Sequence, residues 1–206
     1  MSNQAEQYKE QGTLQFNAAE LPLTSEEWQY IETMLSEVEY EHIVGGDAGE
    51  GHSVRVCRFY NDVEKPTALH ERSEEIHNIV MSQKMKVFYK EIFGTDELCL
   101  RRCQINLLHK DDYIGLHVDQ DSNPDYLATV VFHFDEEYHG GEFITRDQCR
   151  GDHSYKPVSR TVLVNDCSIP HEVSKVESGE RKTLACFLSR SFADSGHTRQ
   201  KFRVVK

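Results

Sequence analysis

From Leu98 to Arg190 the apolar residues fall into short segments, each closed by a cluster of turn-forming residues, and this rhythm narrows the chain to a few β architectures. The segments are 98–108, 113–118, 126–135, 141–146, 153–158, 160–165, 171–177 and 181–190. Asp111-Asp112, Ser122-Asn123-Pro124, His139-Gly140-Gly141, Gly151-Asp152 and Ser178-Gly179 punctuate them. Eight short strands at this spacing predict a double-sheet jelly roll or a small barrel.

The residues before Leu98 read differently. Thr24-Ser25-Glu26-Glu27 forms a capping box, and Trp28, Ile31, Met34, Leu35 and Val38 follow at helical spacing, which predicts an amphipathic helix. Gly45 to Gly51 reads as a flexible loop, and it lacks the Lys-Ser/Thr ending of a phosphate-binding turn. Val54 to Phe59 alternates and predicts a short strand. Pro66 is placed to open one long helix through Ile76, Ile79, Val80, Val87, Phe88 and Ile92, with Gly94 ending it. Residues 1–20 read as a loose arm that packs late, and the basic stretch from Ser191 to Lys206 as a solvated tail. The expected fold is mainly β with flanking helices, in one domain over 1–206. Residues 1–96 form a mainly helical scaffold, 97–190 the β core, and 191–206 a polar tail.

Composition narrows the function. With 35 acidic and 23 basic residues the net charge is -12, which opposes binding to an extended phosphate backbone. The first residues lack the basic and apolar regions of a signal peptide, and no apolar run approaches the ~20 residues of a membrane span. The six cysteines are scattered without a Cys-x-x-Cys pair and read as free thiols. A cytoplasmic protein with no membrane contact is expected; nothing in the sequence fixes its oligomeric state.

The chemistry rests on Leu116-His117-Val118-Asp119 with His171 and Arg181. Two imidazoles and one carboxylate suit Fe(II) and leave coordination positions open. The triplet alone is weak: 11 histidines and 35 acidic residues in 206 supply about two His-x-Asp/Glu triplets by chance. His109-Lys110-Asp111 is the rival, and it runs into a charged turn. His117 and Asp119 close an apolar segment, where strand alternation points both to one face. His171 lies 54 residues after His117, and Arg181 ten residues after His171, across the turn Ser178-Gly179. An arginine facing a barrel interior is costly unless it meets an anion, so an inward Arg181 implies an acidic ligand.

From about Leu98 to Arg190 the sequence resembles the Fe(II)/2-oxoglutarate-dependent dioxygenases, in particular their prolyl-4-hydroxylase-like branch. The resemblance is carried by Tyr113-Ile114-Gly115-Leu116-His117-Val118-Asp119, Thr129 to Phe134, Gly140-Gly141-Glu142-Phe143, Pro157, Val162-Leu163-Val164, Pro170-His171-Glu172-Val173 and Gly179-Glu180-Arg181-Lys182-Thr183. It implies a double-stranded β-helix, with His117, Asp119 and His171 as catalytic iron ligands and Arg181 on the distal carboxylate of 2-oxoglutarate. Thr129 and His133 occupy places that line the cosubstrate pocket in relatives, although a histidine replaces the usual tyrosine at 133. Leu108 likewise stands where many relatives carry a tyrosine. The reaction implied consumes O2 and 2-oxoglutarate, releases succinate and CO2, and hydroxylates a C–H bond. The carboxylate of Asp119 favours hydroxylation over halogenation, since related halogenases lack it. A free amino acid or similar small metabolite is the first expectation for the substrate, ahead of a protein residue of prolyl type. A nucleic-acid demethylase follows, and then a non-catalytic metal-binding jelly roll.

Overall fold

The computed structural model describes residues 3–46, 49–62, 65–134 and 137–190, and the backbone of 203–205. In chain order the first elements are helix α1 (Asn3–Gln11), strand β1 (Thr13–Phe16), a 3-10 turn at Ala18–Glu20, helix α2 (Ser25–Glu37), and strands β2 (Glu41–Val44), β3 (His52–Asn61) and β4 (Thr67–Ala68). Helices α3 (Ser73–Val80) and α4 (Gln83–Phe93) lead to β5 (Cys99–Leu108), β6 (Tyr113–His117) and the one-turn helix α5 (Asp119–Ser122). The rest is strand: β7 (Ala128–His133), β8 (Tyr138–Gly140), β9 (Phe143–Asp147), β10 (Gly151–Tyr155), β11 (Thr161–Asp166), β12 (His171–Val173), β13 (Val176–Gly179), β14 (Arg181–Ser189) and β15 (Arg203–Val205).

The main sheet runs β1-β11-β7-β14-β5-β3-β6-β12-β9-β10, with antiparallel pairing throughout. It curls into the jelly roll expected of the second half of the chain. Alternation along the central strands sorts their side chains to two faces. Leu184, Cys186 and Leu188 of β14, Val130 and Phe132 of β7, and Cys103 and Ile105 of β5 pack with Trp28, Ile31 and Met34 of α2 and with Met85, Phe88 and Ile92 of α4. The other face presents Ala185 and Phe187 of β14, Val131 of β7, and Val54 and Val56 of β3 to the interior of the roll. The helices brace the convex face and leave the concave one for a ligand.

Several local signals act as expected. Thr24 and Glu27 exchange side-chain and backbone hydrogen bonds at the start of α2, and Gly94 takes a left-handed conformation at the end of α4. Elsewhere tertiary structure overrides the local pattern. The loose arm is instead α1 and β1; β1 pairs with β11 from Thr13↔Asn165 to Phe16↔Val162, burying Leu14 and Phe16. Alternating Leu14 and Phe16 on a four-residue strand are too brief a pattern to register against a polar surround.

The single long helix from Pro66 is two helices preceded by β4. Ser82 interrupts it, its hydroxyl accepting from the Met85 N–H at 3.4 Å as an N-cap. The scaffold is also less helical than expected, because β3 spans ten residues and sits between β5 and β6 in the main sheet. The predicted strand 171–177 divides into β12 and β13, and β13 pairs with β8 in a separate two-stranded sheet. The glycine loop is the connection of the β2–β3 hairpin, closed by Gly46 N–H to Glu50 O at 2.8 Å; residues 47 and 48 lie outside the described residues. Of the tail, 191–202 and 206 lie outside the described residues, whereas 203–205 pair with β2 instead of running free.

Candidate active site

β6 and β12 are antiparallel neighbours, and their register sets His117 directly opposite His171. The two rings lie 4.3 Å apart between centroids. β6 ends at His117, so Asp119 does not share a strand face with it as alternation predicts. Asp119 opens α5 instead, and the turn of the chain brings its carboxylate back between the histidines: Oδ1 is 3.3 Å from His117 Nε2 and 3.7 Å from His171 Nε2. One donor atom from each of the three residues lies within 4.8 Å of the others.

Backbone carbonyls fix which nitrogen of each ring faces the cluster. His117 Nδ1 is 2.8 Å from Gly115 O and His171 Nδ1 is 2.9 Å from Ile169 O, so each Nδ1–H donates outward and each Nε2 faces Asp119. Phe143 stacks on His171 with centroids 5.0 Å apart. Thr129 Oγ1 donates to Asp119 Oδ2 at 2.5 Å, which leaves Oδ1 for the cluster. Burial alone pushes the Asp119 carboxyl up, but the charges of His171 and His117 and the hydrogen bonds from His117 and Thr129 outweigh it and hold it well below the usual carboxylate range. Burial also depresses His171, to about 4, so it is a neutral imidazole at physiological pH. At His117 burial is outweighed by the hydrogen bond and charge of Asp119, which raise its imidazole above the usual range, so a metal there would displace a proton. Two Nε2 atoms and an ionised carboxylate oxygen on one side of a cavity fit a divalent transition metal with open positions. The rival pair stays apart from this cluster: His109 lies near Glu180 at 3.4 Å, and Asp111 occupies a positive-φ turn.

The three residues lie on the wall of a cavity inside the roll. Arg181, at the start of β14, lines the same cavity with only 2% exposure. Gly141 makes room for it, since a Cβ at that position would stand 3.0 Å from Arg181 Cδ, and its φ of +67° suits glycine. His133 meets the arginine directly, Nε2 lying 3.2 Å from Arg181 Nη2. The guanidinium donates, so Nε2 accepts; burial and the arginine charge together push the His133 imidazole well below its usual range. Thr183 also lines the cavity, and its buried Oγ1 has no hydrogen-bond partner among the described residues. A donor-rich pocket of this kind fits a carboxylate reaching Arg181 and the Thr183 hydroxyl.

Of the residues singled out from the sequence, His117, Asp119, His171, Arg181 and Thr129 therefore line one cavity. Thr129 spends its hydroxyl on Asp119, and His133 meets Arg181. Several wall residues went unrecognised in the sequence: Glu50, His52, Arg58, Arg102, Gln104 and Asn106. The detectable signal is alternation, because 52, 54, 56 and 58 on β3 and 102, 104 and 106 on β5 all face the cavity. Glu50 lies 3.1 Å from His52 Nε2, and although burial raises its carboxyl, the hydrogen bond and charge of His52 bring it down to about 2.

Residues 103–189 match the model of the 2OG-Fe(II) oxygenase superfamily. An oxidoreductase of the 2OG-Fe(II) oxygenase family from Burkholderia pseudomallei is 33% identical over 96% of this chain and 93% of its own, with a TM-score of 0.85. A prolyl-4-hydroxylase from Pseudomonas putida shares the fold at 15% identity and TM-score 0.65, covering 91% of this chain and 97% of its own. HygX from Streptomyces hygroscopicus, with nickel and 2-oxoglutarate bound, does so at 12% identity and TM-score 0.66, covering 99% and 97%. No curated protein matches the chain. No helix among the described residues is long and apolar enough to cross a membrane.

Proposed function

The chain belongs to the 2OG-Fe(II) oxygenase superfamily, and on that premise we propose that it hydroxylates a C–H bond of a free amino acid or similar small metabolite, with His117, Asp119 and His171 as its iron ligands and Arg181 as its cosubstrate anchor. It is an Fe(II)- and 2-oxoglutarate-dependent oxygenase. Bound Fe(II) and 2-oxoglutarate supply the oxidising chemistry, in which O2 is consumed, succinate and CO2 leave, and one oxygen atom goes to the substrate.

The protein's own residues bind, orient and exclude water. His117 and His171 present Nε2 atoms with their tautomers set by Gly115 O and Ile169 O. Thr129 directs Asp119. Arg181 fixes the distal carboxylate, and His133, as a neutral acceptor, holds one guanidinium nitrogen in place. Val131 and Val173 line the cavity and keep its walls apolar. The observation that carries the reading is the gathering of His117, Asp119, His171 and Arg181 on one cavity.

Anaerobic titration of Fe(II) and 2-oxoglutarate into the protein tests the assignment through the visible charge-transfer band of the chelate. His117→Ala and His171→Ala should each abolish the band, and its survival in both variants would sink the ligand assignment. Arg181→Ala should raise the 2-oxoglutarate requirement by about 100-fold or more, the loss of a buried charge-assisted pair, with a much smaller effect on iron. A mass-detected screen for a +16 product across amino acids and peptides then separates a metabolite from a protein residue as substrate.

A further inference from the structure

Asp119 is the one member of the cluster that no strand carries. β6 ends at His117, and the four-residue α5 that follows is too short to fix its own geometry. Its orientation has to come from the segments on either side. On the N-terminal side, the pairing of β6 with β3 and β12 sets His117. On the C-terminal side the chain closes on itself: Asn123 N–H donates to Asp119 O at 3.4 Å, Tyr126 N–H to Asn123 O at 3.1 Å, and Gln120 Nε2 to Tyr126 O at 2.9 Å. These bonds make residues 119–126 one unit.

A buried carboxylate anchors that unit. Asp62, immediately after the end of β3, is only 1% exposed. Its Oδ1 accepts from the Tyr126 hydroxyl at 2.8 Å, and its Oδ2 accepts from Asn123 Nδ2 at 2.9 Å. Arg101 of β5, itself buried, places Nε 3.5 Å from the same Oδ2. The Tyr126 ring packs on Phe187 of β14 with centroids 5.0 Å apart. β3 therefore holds the ligand-bearing chain at two points. Its first residues, His52 and Ser53, pair with Ile114 and Tyr113 of the strand that carries His117, and Asp62 beyond its other end holds the turn that carries Asp119. Packing alone would bury this turn. Directional hydrogen bonds to two of its side chains also fix its rotation, and that rotation decides where the Asp119 carboxylate falls between His117 and His171.

Resting on the ligand assignment above, we propose that Asp62 is a positioning residue of the metal centre, which through Asn123 and Tyr126 holds the 119–126 turn in the orientation that presents Asp119 Oδ1 to the two histidines. Asp62 stands off the cavity wall, so its effect passes through Asp119. Thr129 orients the carboxylate itself from the opposite oxygen, whereas Asp62 orients the backbone that bears it.

Calorimetric titration of the full chain with Ni(II), which nitrogen ligands bind more tightly than Fe(II), tests this below the melting temperature of every variant. Asp62→Asn should lower the affinity about tenfold, as removal of a group supporting a ligand does, and Tyr126→Phe, which removes one donor only, by a smaller factor. Met34→Ala, a core truncation in α2, should lower the melting temperature and leave Ni(II) affinity unchanged. In an Asp119→Ala background, Asp62→Asn should cause no further loss, because the two residues act in series. The same loss in that background overturns the proposal, and so does an equal loss in Met34→Ala, which a purely structural role predicts. If Asp62→Asn does not fold, Tyr126→Phe decides by itself, and unchanged affinity there overturns the proposal. A wild-type protein that takes up no Ni(II), or Asp119→Ala binding as tightly as the wild type, refutes the ligand assignment itself. Wild-type uptake that Asp119→Ala weakens and Asp62→Asn leaves unchanged refutes the role of Asp62 alone.

Discussion

Thr129 and His133 both act through a neighbour, and each makes a measurable difference. Thr129 Oγ1 donates to the Asp119 oxygen that the histidines do not face. Thr129→Val keeps the shape and removes the donor, so metal affinity should fall ~10–100-fold, the usual loss when a group supporting a ligand is removed. Anaerobic Fe(II) titration measures it, and unchanged affinity would show that Asp119 is oriented by other means. His133 sets a pH dependence. Its imidazole stays neutral in the fold because of burial and the Arg181 charge, whereas in the unfolded chain it takes a proton as the pH drops through about 6.5. The unfolded state then binds more protons, so stability falls on acidification below that pH and is recovered above it. His133→Gln should flatten this slope by one proton between pH 5 and 7. Parallel denaturation curves of the two proteins across that range would contradict the placement of a neutral imidazole against Arg181.

At the scale of elements, the site depends on how closely β3 and β6 approach. A Cβ on Gly115 would stand 2.2 Å from the Gly51 carbonyl, a backbone atom, and Gly115 N–H donates to that same oxygen at 2.9 Å. Gly115→Ala should force the strands apart, costing ~1–3 kcal/mol as overpacking does, and should weaken metal binding because His117 is two residues on. Thr24→Ala provides the contrast: loss of the α2 cap costs about 1 kcal/mol with metal affinity intact. Thermal denaturation and metal titration of both variants separate the two effects, and equal loss of metal affinity would show that stability alone governs the site.

The contrast also explains what the sequence made legible. A capping box and a terminal glycine are local and chemically distinctive, so α2 and the end of α4 could be read directly, whereas the His-x-Asp triplet singled out the candidate cluster only together with His171 and Arg181. Arg58, Arg102 and Gln104 were not legible as site residues, because a charged or polar residue on an alternating strand ordinarily faces solvent. Only the insertion of β3 beside β5, a contact between segments some 45 residues apart, turns that face into a cavity wall.

For the whole molecule, the segment that looked least structured closes the sheet. β1 caps the β11 edge, Leu14 and Phe16 enter the core, and Tyr8 of α1 packs edge-on against Phe93 of α4 at 5.3 Å. The same strand reaches the surroundings of the proposed metal ligand His171: Thr13 Oγ1 donates to Asn165 Oδ1 at 2.7 Å, and Asn165 Nδ2, which donates to Asp166 O at 3.0 Å, packs 3.4 Å from His171 Nδ1. Burying Leu14 and Phe16 contributes ~1.5–3 kcal/mol each. That sum is a large share of the ~5–15 kcal/mol that holds an ordinary domain together. Deleting residues 1–16 also leaves β11 as an open edge, where unpaired N–H and C=O groups invite association. The truncated protein should therefore melt at markedly lower temperature, self-associate, and lose hydrogen-exchange protection along β11. The weakening should reach the metal site through Asn165, so Asn165→Ala in the full chain should reproduce part of the loss in metal affinity without the exposed edge. A truncated protein that melts, elutes and binds metal like the full chain would return this segment to the status of a loose arm and detach it from the site.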